Sequence, residues 1–160
     1  MLRYLYVVAL VLWVGGLIAA GLVVAPSVFS VLQAWNATEG RVLAGQVFGD
    51  VLLRLTWLSY AMGAVMFITL TLHRLLGARP LKYGVRVGIM ALMLLMMFAI
   101  GFYILPRVNA IQAAVSGPVS VLPESDARRA EFDRLHGLSN ILFSITAIGG
   151  LALCWWEARE

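Results

Sequence analysis

Charge is what this chain has least of. Only 12% of its residues are Asp, Glu, Lys or Arg, against roughly 25% in a soluble domain, so a water-surrounded globule is excluded and a bilayer protein is implied. Cysteine is nearly absent too. Cys154 alone allows neither an intramolecular disulfide nor a thiolate metal cluster within one chain. The two histidines, His73 and His136, are too few for a polyhistidine metal site within one chain. The net charge of +4 is not gathered into a basic, aromatic-studded surface, which speaks against nucleic acid as a partner. No G-x-S-x-G elbow surrounds Ser139, so the nearby His136 does not make it a nucleophile.

What the chain has in quantity is uncharged apolar sequence, in four runs: Tyr4 to Leu32, Leu55 to Leu72, Val87 to Pro106 and Gly137 to Trp156. Each is ~18 residues or longer, enough to span a bilayer as a helix. The first run is too long for the core of a cleavable leader, and Pro26 follows its only small-residue site, so it is read as a permanent helix. The expected fold is all-α, a polytopic membrane protein with a four-transmembrane-helix up-down bundle. It forms one domain over residues 1–160, with spans at roughly 4–32, 53–74, 84–106 and 137–157. Pro26 sits about where the first span leaves the hydrocarbon, so a kink is expected there; Pro106 ends the third span, and both helices then continue as extensions.

The stretch from His73 to Arg86 contains Arg74, Arg79, Lys82 and Arg86 and no acid. By the positive-inside rule it is cytoplasmic, which puts both termini on that side and the helical extensions outside. At 1.5 Å per residue, Arg54 is ~28 Å from His73, Arg107 ~32 Å from Arg86, and His136 ~32 Å from Glu157. Arg54, Arg107 and His136 therefore share the outer level, with Asp50, Asn109, Asp133, Ser139 and Asn140 within about two turns of it. Asp133, His136 and Asn140 fall on one helix face. This polar cluster is the candidate ligand-binding site: Arg54 and Arg107 would hold an anionic group while His136, oriented by Asp133, exchanges a proton or binds a metal. The alternative is a structural network of ion pairs that ties the helix extensions together. His73 and His136 lie on opposite sides, so a metal or haem held by both within one chain is excluded.

The functional expectation is a membrane protein without enzymatic activity whose partners are the bilayer and a small molecule, lipid or metal bound at the outer cluster. The sequence names no cofactor, and it allows a homo-oligomer. A second reading is a copper-type metal or small-solute transport or resistance component, because Met90, Met93 and Met97 share a face and thioethers suit Cu(I). Thioethers also fill irregular cores. A membrane-embedded enzyme is the third.

The Trp13-Val-Gly-Gly opening, Ala25-Pro26-Ser-Val-Phe29, and Phe132-x-x-Leu135-His136-x-x-Ser139-Asn140, set on four spans, resemble the transmembrane-protein-205-like family of small four-helix membrane proteins of unknown function. The resemblance implies a bundle in a bacterial inner (plasma) membrane, or else a eukaryotic membrane, in which His136 and its neighbours matter. A more distant similarity to membrane domains of copper-resistance proteins would favour metal handling, although this chain has no paired histidines at one depth.

Overall fold

A computed structural model describes residues 1–77, 80–115 and 117–159. Arg79 of the basic loop and Ser116 lie outside them. The described secondary structure is entirely helical, and four helices are long and apolar enough to cross a membrane: α1 (Leu2–Trp35), α2 (Glu39–Leu75), α3 (Tyr83–Ala113) and α4 (Ala127–Glu157). They outrun the apolar runs because polar residues with good helix propensity continue each one past the hydrocarbon. The start of α1, the end of α2, the start of α3 and the end of α4 meet around one small cavity, so successive helices run in opposite directions.

A seam of inward side chains recurs every three or four residues on each helix. On α3 it is Arg86, Met90, Met93, Met97, Ile100 and Ile104, and on α1 it includes Tyr6, Leu10, Trp13 and Leu17. A repeat of about 3.5 residues is the pattern of near-parallel helix packing. In lipid such packing is driven by close contact, not by water exclusion, and small residues sit opposite large ones. Gly63 lies where a Cβ would come within 3.1 Å of the Trp13 ring, and Gly150 packs on Val14. The methionines of α3 are core filling in this bundle. The buried hydroxyls of Thr56, Ser59, Thr69 and Thr146 donate to carbonyls of their own helices, those of Leu52, Leu55, Val65 and Leu142 respectively, so each is satisfied without a partner from another helix.

Just ahead of each proline the helix widens into a π turn. Residues Ala20–Val24 of α1 and Ile100–Ile104 of α3 are π-helical, with the Ala25 amide donating to the Ala20 carbonyl and that of Leu105 to Ile100. Pro26 and Pro106 follow at matching positions. A proline cannot supply the next helical hydrogen bond, and an i→i−5 turn absorbs that gap by adding one residue. Beyond these turns the bundle divides into two hairpins: the Ala25–Trp35 extension packs on α2, and the Leu105–Ala113 extension packs on α4.

Candidate functional site

At the divided end, which carries the residues expected to form the site, the polar side chains fall into three separate groups. Arg54 pairs with Asp50 on α2, Nε to Oδ2 at 2.8 Å, and both are largely exposed. Arg107 of α3 reaches Glu131 of α4 at 3.2 Å. It also donates to the Tyr103 hydroxyl at 3.3 Å, over whose ring its guanidinium lies at 5.5 Å. On α4, His136 stacks flat on Phe132, ring centroids 6.1 Å apart, and its carbonyl accepts from Ser139 Oγ at 2.8 Å. Asp133, His136, Asn140 and Asn109 are exposed and Ser139 is half-buried. The structure thus brings together Arg54 with Asp50 and His136 with Ser139. Arg107 acquires partners not expected of it, Glu131 and Tyr103, and lines a cleft together with Arg134.

That cleft has a volume of about 360 Å³ and is lined by Tyr103, Arg107, Ala130, Glu131, Arg134 and Leu135. Two guanidiniums face one carboxylate over an apolar floor. Arg107 turns outward because of the π turn below it. The α3 seam through Ile104 would reach residue 107 next, but the added residue rotates the helix by about 100°. Leu105 and Ile111 are consequently the buried residues of the extension.

The opposite end holds a cluster that sequence reasoning missed. Arg86, with no exposed surface, forms an ion pair with Glu157, which is 8% exposed. The other carboxylate oxygen of Glu157 accepts from Arg3 Nε at 2.6 Å, and its backbone carbonyl accepts from Arg3 Nη2 at 2.9 Å. The Arg86 guanidinium lies over the Tyr6 ring at 4.8 Å. One carboxylate therefore ties the last turn of α4 to the first turns of α1 and α3. The signal was in the depth arithmetic, which puts Arg86 and Glu157 on one level just as it does Arg107 and His136. Reading Arg86 only as a loop anchor concealed it.

Outside the spans, Asp126 caps α4. Its Oδ1 accepts from the Arg128 amide at 2.8 Å, and its other oxygen accepts from the Arg128 guanidinium at 2.7 Å. The Arg128 side chain, then its amide, hold the carboxyl down at a pKa of about 2. The connection before α2 is also capped by a side chain. Asn36 Oδ1 accepts from the amides of Thr38 and Glu39, each at 2.9 Å, so the Asn-Ala-Thr sequence serves as a helix start.

Four spanning helices joined by short connections, with charge confined to their ends, define an integral membrane protein of the small helical-bundle class. Residues 8–116 match the family of a domain of unknown function, DUF4149, and the chain belongs to that family. No curated protein and no solved structure matches it.

Proposed function

We propose that the protein binds an anionic amphiphile, a lipid or lipid-like molecule with a phosphate or carboxylate head, in the cleft between the end of α3 and the start of α4. The observation that carries this reading is the lining of the cleft: Arg107 and Arg134 against Glu131 alone, over Tyr103 and Leu135. Guanidiniums present paired donors to an anionic head, and the apolar floor suits the first carbons of a chain entering from the bilayer. Of the residues expected from sequence, Arg107 binds the head, and His136, Asp133, Ser139 and Asn140 form the neighbouring polar face of α4. Arg54 and Asp50 pair with each other on α2, apart from the cleft, and Asn109 lies two residues beyond Arg107 on α3. The acid-free loop of α2 and α3 favours a cytoplasmic position for both termini and an outer-leaflet position for the cleft. The Leu135-His136 motif beside it supports kinship with the transmembrane-protein-205-like family.

Native mass spectrometry of the detergent-purified protein supplied with phosphatidylglycerol or phosphatidylcholine tests the proposal. The expected result is one retained phosphatidylglycerol, lost in the Arg107→Gln/Arg134→Gln double variant and kept in Arg54→Gln. Equal retention of both lipids, or undiminished retention by the double variant, overturns it.

A further inference from the structure

We infer that the outward face of α4 is an interface with a second copy of this chain, packed α4 against α4 about a two-fold axis along the membrane normal. The face is the stripe Asp133, Gly137, Asn140, Ser144, Ile148 and Leu151, which recurs every three or four residues and is exposed throughout. It runs from the divided end toward the closed end, where Glu157 ties the helices together. At 100° per residue it lies opposite the seam of Leu135, Thr146, Gly150 and Leu153 that packs into the bundle. α4 is also the least covered of the four spans.

The other three helices show what a lipid-facing surface of this protein is made of. The exposed residues of α1 from Val11 to Val23, of α2 from Trp57 to Leu72, and of α3 from Val85 to Phe102 include no Ser, Thr, Asn or Gln. On α4 the same kind of surface carries Asn140 and Ser144, about 6 and 12 Å inside the level of His136. Ser144 Oγ donates to the Asn140 backbone carbonyl at 2.8 Å, as Ser139 Oγ does to that of His136. The Asn140 side chain has no such partner among the described residues, and it is too short to reach back to water as a Lys or Arg would. An amide left facing hydrocarbon is costly, so the face calls for a polar neighbour at that depth. A second copy supplies one. Copies inserted in the same direction present equal depths, and the two-fold axis sets Asn140 on Asn140, where an amide that both donates and accepts satisfies its own image. Asp133 and His136 are one turn apart beside the axis, so each carboxylate can take an imidazole N–H from the other copy, twice by symmetry. Between them, nothing lies within 4 Å of a Cβ placed on Gly137, which lets the two backbones approach.

This face shares no residue with the proposed lipid cleft, so either can fail alone. The test is energy transfer between donor- and acceptor-labelled full chains in liposomes, followed as the protein is diluted with lipid. Wild-type copies should associate, and Asn140→Leu should weaken the association roughly tenfold. Arg107→Gln/Arg134→Gln should leave it unchanged, as should Leu95→Ala on the exposed face of α3. Cross-linking gives a second readout that keeps Asn140: in a Cys154→Ser background, oxidation should join two copies through Ser144→Cys and not through Leu95→Cys. Absence of transfer at every dilution, association undiminished in Asn140→Leu, or equal cross-linking from Leu95→Cys overturns the inference. So does a chain that is monomeric when pure and cross-links through Ser144→Cys to a different protein in its native membrane.

Discussion

The same two helices carry the same ion pair twice, once at each end of the bundle. In both, an arginine of α3 meets a glutamate of α4: Arg86 with Glu157, and Arg107 with Glu131. At the closed end the side chains are 1% and 9% exposed, and at the divided end 54% and 43%. The pairing groups are the same, while burial differs, with Arg3 also engaging Glu157 at the closed end. A buried charge that loses its partner is stranded in low dielectric, whereas an exposed one is taken over by water. The closed-end pair is therefore structural in its consequences, and the open pair is free to exchange its partner for a ligand.

The largest effect should come from breaking the buried pair from one side. Arg86→Met leaves Glu157 with Arg3 alone and should cost about 3–5 kcal/mol of stability, read from unfolding of the micellar protein by a denaturing detergent. Arg86→Met/Glu157→Leu removes both charges and should recover most of that loss, since apolar replacement of a whole buried pair is often neutral. A double variant as unstable as the single one would show that packing, not charge, explains the closed end.

Next in size is Gly40→Ala at the turn joining α1 to α2. A Cβ there would lie 1.9 Å from the Leu32 carbonyl oxygen, and backbone on both sides must give way. A loss of about 1–3 kcal/mol is expected, with the divided end affected first in hydrogen exchange. An unchanged melting curve would mean that the two hairpins are held less rigidly at this end than the geometry indicates.

Arg107→Met should cost less than about 1 kcal/mol, because an ion pair as exposed as Arg107–Glu131 is screened by water and salt. Its effect belongs in lipid retention. A destabilisation equal to that of Arg86→Met would dissolve the contrast between the ends.

Depth along the membrane axis was legible from sequence, since it follows from the rise per residue and the charge-free runs. The four helices followed from the length and spacing of the apolar runs alone. Direction around each helix was harder to read. Leu135 is buried and His136 is exposed because one residue turns a helix by about 100°. Leu55 and Arg54 differ for the same reason. Residues that share a level can therefore face apart, as Arg54 and His136 do in sitting with separate partners. The π turns made azimuth harder still, since a single inserted residue moved Arg107 off the seam, and Pro106 alone does not announce that rotation. The buried Arg86 was concealed by composition, because the basic loop around it gave an adequate reason for any arginine to be there.

The smallest expected effect is at the start of α4, where charge acts without burial. The Asp126 carboxyl has a folded pKa of about 2 against an ordinary 3.8. A depressed acid contributes stability that is fully present above its unfolded pKa and lost as pH falls through the folded one. The cap should therefore be intact at neutral pH, begin to weaken below pH 3.8, and be lost near pH 2. The Arg128 amide, which donates to Asp126 Oδ1, reports this directly. Its NMR shift should titrate with a midpoint near 2, and Asp126→Ala should remove the titration and fray the first turn at every pH while leaving global unfolding nearly unchanged. A midpoint at the ordinary carboxylate value would mean that Arg128 is solvated away from Asp126, placing this pair below Arg107–Glu131 in the series that Arg86–Glu157 heads.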